Sequence, residues 1–142
     1  MLKFTIVSKA SLFCFLVVLG SSIANAQPEN INIQQLKQLL DDNVVLIDVR
    51  TPVEWEQTGI VPGSIAIMFF DEKGRANPRL WMQQAGQHIS PDQAVAIICR
   101  SGNRSFTVGR YLMAQHGFQQ VYNVEGGIKA WKKAGHSTIA PQ

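Results

Sequence analysis

Ala94-Val95-Ala96-Ile97-Ile98-Cys99-Arg100-Ser101-Gly102-Asn103-Arg104-Ser105 passes from an apolar run, through a polar turn, to the start of a helix. The run is bounded by Ser90-Pro91-Asp92 before it and Gly102-Asn103 after it, the pattern of a short buried strand. Beyond the turn, Ser105, Val108, Gly109, Leu112 and Met113 fall on one face at helical spacing. Cys99 is therefore expected at the carboxyl end of a strand, facing the opening of a helix. Open α/β sheets bind their ligands at that place.

A cysteine closing an apolar strand is commonly a small buried hydrophobe. The residues after Cys99 argue for a reactive thiol instead. Arg100 and Arg104 bring positive charge into the loop, and both charge and a helix N-terminus favour the thiolate. Gly102 and Asn103 tolerate left-handed backbone, so the N–H groups of Ser101, Gly102 and Asn103 can turn inward as an anion-binding nest.

Outward from this centre, strand and helix patterns alternate. Ile31-Asn32-Ile33 reads either as a short edge strand or as a cap, Asn32, for the helix carrying Leu36, Leu39 and Leu40, which Asp41-Asp42-Asn43 ends. Val44 to Val49 is a nearly continuous apolar run, as in a strand covered on both faces. Its polar exceptions, Asp48 and Arg50, are expected to form a structural ion pair at the strand's end rather than to act directly. Thr51-Pro52-Val53-Glu54 combines a capping hydroxyl, a first-turn proline and an acid three residues on, so it starts a short helix that carries Trp55 into the core and closes at Gly59. After the Pro62-Gly63 turn, Ser64 to Met68 reads as a strand. Asn77-Pro78 opens a helix through Leu80, Trp81, Met82 and Ala85, ending near Gly86. Phe69, Phe70, Trp81 and Met82 are expected to pack the core rather than to line a pocket beside the cysteine. The helix after the cysteine loop stops at His116-Gly117, Gln120 to Val124 is a strand, and Ile128 to Ala134 is a last helix closed by Gly135.

The N-terminal residues belong to none of this. A basic start with Lys3 and Lys9, an apolar stretch from Ala10 to Gly20 and the small-residue site Ala24-Asn25-Ala26 spell a secretory leader over residues 1–26. The apolar stretch is short for a membrane anchor, so cleavage is expected, with residues 27–142 left as one domain and its core over about 31–136. The leader takes two lysines and no acid, which lowers the net charge of the 142-residue chain from +3 to +1. That balance excludes a basic nucleic-acid binder. The leader also takes Cys14, so Cys99 would be the one remaining cysteine. Export, most simply to a periplasm, is expected, with no stable membrane anchor. His88, His116 and His136 are scattered, and with no second cysteine a metal site is not expected. No P-loop or dinucleotide fingerprint occurs, and no cofactor is implied. Alternating strands and helices give an α/β fold: a parallel sheet of about five strands with helices on both faces.

Asp48-Val49-Arg50, Glu54-Trp55, Gly59, Pro62-Gly63-Ser64, the loop from Cys99 to Ser105, Val124-Glu125-Gly126-Gly127-Ile128 and Trp131 together resemble a single-domain rhodanese, in that family's order. One departure is Ile60, where the family often has histidine. The resemblance implies a rhodanese-like sheet and thiosulfate:cyanide-type sulfurtransferase activity. Cys99 would take a sulfane sulfur from a small anionic donor, hold it as a persulfide and pass it to a thiophilic acceptor such as cyanide, or to a protein. Arg100, Ser101, Gly102, Asn103, Arg104 and Ser105 would bind the donor and the persulfide, with Asp48 and Arg50 in support. Two alternatives stand beside this reading. One is a sulfur carrier or partner-binding module with little turnover. The other is a cysteine phosphatase, a related class that places one residue more between cysteine and arginine than the four between Cys99 and Arg104.

Overall fold

The computed structural model describes residues 26–141; the expected leader, with Cys14, lies outside the described residues apart from Ala26. Among the described residues five strands and five helices alternate: β1 (Glu29–Ile31), α1 (Ile33–Asp41), β2 (Val45–Asp48), α2 (Pro52–Thr58), β3 (Ile65–Ala66), α3 (Pro78–Ala85), β4 (Val95–Ile98), α4 (Asn103–His116), β5 (Val121–Val124) and α5 (Gly127–Lys133). All strand pairs are parallel, in the order β1-β5-β4-β2-β3. The α/β sheet expected from the sequence is the one observed.

The two readings of Ile31-Asn32-Ile33 are both partly right. β1 ends at Ile31, and Asn32 caps α1 through a reciprocal capping box with Gln35, both bonds at 2.9 Å. β3 is shorter than Ser64 to Met68, yet the extended chain continues beside β2, with Ile67 N–H on the Asp48 carbonyl at 3.0 Å and Phe69 N–H on the Val49 carbonyl at 3.2 Å. The C-terminal tail, which carries no sequence pattern, returns to the fold: Ile60 and Ile139 exchange backbone bonds of 2.8 and 2.9 Å.

Strand periodicity divides the core into two layers. Ile47, Val49, Val95, Ile97 and Cys99 face Trp81, Ala85, Val108 and Leu112 of α3 and α4. Leu46, Ala96 and Ile98 face Leu36 of α1 and Ile128 and Trp131 of α5. Cys99 thus points toward α4 because it lies two residues beyond Ile97. From β2 the chain moves outward to β3, and from β4 it moves the other way to β5. Their carboxyl ends, side by side through the Val49 N–H bond to the Ile98 carbonyl at 3.0 Å, form the crevice where the strand order reverses.

At the end of β2, the buried Asp48 and Arg50 pair at 2.7 Å. The Arg50 guanidinium also donates to Thr58 Oγ1 at 2.7 Å and to the Gly59 carbonyl at 2.8 Å, so each nitrogen has a partner and the strand's end is tied to the end of α2. The sequence-based structural pairing is what the fold contains. Arg50→Met would strand the Asp48 carboxylate in the core, at a cost of about 3–5 kcal/mol. A urea midpoint within error of wild type would contradict that role.

Candidate active site

The site begins with an inversion of the backbone after β4. Gly102 takes a left-handed φ of 104° and turns its N–H onto Cys99 Sγ at 3.1 Å. It is the N-cap of α4 and offers no side chain, so the first-turn N–H groups of a 14-residue helix lack a side-chain cap. The sulfur lies where such a cap would be. Ser105, one turn into α4 and fully buried, brings its hydroxyl to 3.2 Å from Sγ. Burial pushes the Cys99 thiol up, but the Ser105 hydroxyl and the N–H groups of Ser105, Ser101 and Gly102 outweigh it, and the thiol sits below its ordinary value. Cys99 itself is only 1% exposed.

The carbonyls of the same loop point the opposite way. Cys99 O accepts from Ile128 N–H at 2.9 Å and Arg100 O from Lys129 N–H at 3.3 Å, so the first turn of α5 holds the loop from behind. Gly127, at φ 57°, makes this approach possible, because a Cβ there would overlap the backbone of Cys99 and Arg100. The Gly126-Gly127 pair between β5 and α5 is thus a bearing surface for the cysteine loop.

The expected loop residues do not share one role. Ser101 and Asn103 are exposed at the rim, and Asn103 is the first residue of α4. Arg104 is engaged elsewhere in the fold: its guanidinium forks onto Glu54 of α2 with bonds of 2.8 and 2.6 Å. Burial pushes the Glu54 carboxyl up, but Arg104, the Thr51 N–H and the Arg50 charge outweigh it, and Glu54 is held at about 2 instead of 4.5. Glu54 is also the capping-box acid of α2, accepting from Thr51 N–H at 3.1 Å. Arg100, by contrast, is exposed and borders a cavity of about 540 Å³ with Lys129 and Lys132; none of these three enters an ion pair among the described residues.

Three residues of the site were not singled out in the sequence for these roles: Glu54 as the partner of Arg104, Gly127 as the spacer, and Asn123, which receives the Ser105 hydroxyl at 2.6 Å. Asn123 had a signal, a buried polar residue in an apolar strand. The other two contacts join segments far apart in the chain. Of the four residues considered as core or pocket, Phe69 and Trp81 are buried in the core, and Phe70 and Met82 pack against it. Trp55 is only half-buried. With Met68, Phe69, Leu80 and Trp81 it lines a separate cavity of about 510 Å³, which Cys99 does not border.

Residues 32–134 match the model of the rhodanese-like domain family. A protein of Allochromatium vinosum named sulfurtransferase is 36% identical over 114 residues, covering 79% of this chain and 95% of the relative. The thiosulfate sulfurtransferase GlpE of Pseudoalteromonas translucida is 36% identical over 107 residues, covering 75% and 90%. Among solved structures, a rhodanese-like domain protein from Staphylococcus aureus superposes with a TM-score of 0.59 at 27% identity, over 79% of this chain and 99% of that one. The fold and the cysteine loop define an α/β domain with a thiol at the sheet's switch point. This chain belongs to the rhodanese-like domain family.

The Glu54–Arg104 fork carries a pH signature. Because the folded carboxyl is depressed, its stabilisation is complete above the ordinary value of 4.5 and is lost as pH falls toward about 2. In urea titrations wild type should exceed Glu54→Gln at neutral pH, and the gap should close across that acid window. A gap that persists unchanged at the acid end would remove the fork as its source.

Proposed function

We propose that this protein is a sulfurtransferase that carries sulfane sulfur as a persulfide on Cys99, taken from thiosulfate or a similar donor and given to a thiophile such as cyanide. The observation that carries this reading is the buried Cys99 sulfur cupped by inward N–H groups and the Ser105 hydroxyl, with its thiol shifted down. The names of the relatives, sulfurtransferase and thiosulfate sulfurtransferase, support the same reaction class.

In the first half-reaction the Cys99 thiolate attacks the outer sulfur of thiosulfate. The new S–S bond forms as the old one breaks, and sulfite leaves with the electron pair. The inward N–H groups then face the negative charge of the persulfide. In the second half-reaction cyanide attacks the outer sulfur, the Cys99 S–S bond breaks toward the protein, and thiocyanate departs with the thiolate restored. Arg100, with Lys129 and Lys132 beside it, supplies the positive charge that meets the donor. Arg104 serves the site by fixing α4 against α2 through Glu54. That commitment also argues against phosphatase chemistry, in which an arginine of the loop must grip the phosphate. We further propose export and cleavage after Ala26, which leaves Cys99 without a partner cysteine.

With thiosulfate and cyanide, thiocyanate formation should follow ping-pong kinetics, and Cys99→Ser should lower it more than about a thousandfold. Mass spectrometry of donor-treated protein should find one added sulfur on a chain beginning at Gln27. A persulfide without turnover would favour a sulfur carrier, and neither product would refute the sulfurtransferase reading. Arg100→Ala should raise the KM for thiosulfate about tenfold, or about 1.4 kcal/mol, with little change in kcat. Arg104→Ala should instead lower stability, because it leaves Glu54 unpaired. The reverse pattern would exchange the two assigned roles.

A further inference from the structure

Behind the sulfur, a line of polar side chains runs through an otherwise apolar layer. Ser105 Oγ lies 3.2 Å from Cys99 Sγ and 2.6 Å from Asn123 Oδ1. Asn123 Nδ2 donates to Asn30 Oδ1 at 2.8 Å. Ser105 and Asn123 are buried, whereas Asn30 lies exposed on the outer strand β1. Asn30 and Asn123 are register partners on adjacent parallel strands, so their side chains emerge on the same face of the sheet. The line therefore runs from solvent at the sheet's edge to the thiol.

A hydroxyl has one proton, and Ser105 stands among three acceptors, Cys99 Sγ and the Gly102 carbonyl at 3.2 Å each and Asn123 Oδ1 at 2.6 Å. Its shortest contact is with Asn123 Oδ1, so while Cys99 is neutral the proton lies on that side rather than toward Sγ or the Gly102 carbonyl. An anionic sulfur, thiolate or persulfide, needs the opposite. Ser105 must then donate to sulfur, and two bare oxygens would face each other across 2.6 Å unless Asn123 becomes the donor. A carboxamide can do this by turning over. Nδ2 then donates to Ser105 Oγ, and Oδ1 receives a proton from the amide of Asn30, turned in the same way. No proton travels along the line, since the thiol proton leaves to solvent and only the direction of each hydrogen bond reverses.

We propose that Asn123 and Asn30 are positioning residues that set the direction of the Ser105 hydroxyl, through a chain of hydrogen bonds whose polarity reverses with the charge on Cys99. Its use during sulfur transfer rests on the persulfide reading above; the chain itself is a property of the free thiol. The requirement is for side chains that can both donate and accept. Aspartate at either position is an acceptor only. It holds the Ser105 proton away from the sulfur, directly at 123 or through the Asn123 amide at 30. Alanine at position 30 admits water, which donates as readily as it accepts, and so leaves Asn123 free to turn.

The test needs neither donor nor acceptor. The rate of iodoacetamide alkylation against pH, followed by mass spectrometry on the peptide that carries Cys99, gives the Cys99 pKa, with Asn30 as the lead position because it lies exposed. Asn30→Asp should lower the thiolate present at a fixed pH about threefold, and Asn123→Asp should lower it more than about tenfold, one pKa unit. Asn30→Ala should match wild type. In a Ser105→Ala background, which removes the middle of the chain, the Asn30→Asp effect should shrink to what its charge alone produces. The other charges near the sulfur are unchanged in every variant: Arg104 with Glu54, Arg50 with Asp48, and Arg100, Lys129 and Glu125 on the neighbouring turns. Side-chain NH₂ resonances of Asn30 and Asn123 should titrate with the same pKa as alkylation. Equal Asn30→Asp shifts with and without Ser105, or amide resonances that ignore the Cys99 titration, would overturn the proposal. The sulfurtransferase reading would survive either result, because thiocyanate formation is measured separately.

Discussion

The site depends on one constraint, the opposed facing of N–H and C=O groups in the loop after β4. Two hydrogen bonds from the first turn of α5 take the carbonyls of Cys99 and Arg100, which fixes the N–H groups of Arg100 and Ser101 on the other side of those peptide units, and the Ser101 N–H is one of the donors to the sulfur. A peptide unit is rigid, so anchoring one side of it aims the other. Without Gly127 the two backbones could not come close enough for the anchor to exist. The lowered thiol is a downstream effect of this packing: the donors that outweigh its burial are the ones the anchor and α4 present.

Charge is arranged around the same constraint. Two arginines near the sulfur are consumed in structure, Arg50 by Asp48 and Arg104 by Glu54. Both pairs converge on α2, which is short and contributes no fully buried residue. Ion pairs and hydrogen bonds hold its two ends, at Glu54 and at Thr58-Gly59. Three cations outside these pairs, Arg100, Lys129 and Lys132, border one cavity beside the loop.

Much of this was legible in the sequence, for reasons that differ by residue. The strands around Ile47 and Ile97 and the cap at Thr51 announce themselves because period and turn chemistry are local. The place of Cys99, between the end of β4 and the start of α4, followed from the strand, glycine turn and helix around it. Arg104 read as a donor contact because a sequence displays its charge but not the carboxylate fifty residues earlier that meets it. Asn123 was hidden in a different way. A lone amide in an apolar strand signals that a polar contact is needed, but its partners appear only when the register sets it beside Asn30 and under Ser105. Trp55 fell between the two cases: its helix was evident, while its place at the edge of a cavity depends on α3, packed from elsewhere in the chain.

The depth of Cys99 has a further consequence. A disulfide requires two sulfurs at about 2.05 Å with their Cβ atoms about 3.8 Å apart. With Cys99 only 1% exposed, two copies of this domain cannot bring their sulfurs to that distance without opening the loop. Covalent dimerisation by air oxidation is thus opposed by shape, while a small oxidant needs only the access that a sulfur donor needs. Oxidative damage here would take the form of sulfenic and sulfinic acid on single chains rather than of cross-linked pairs.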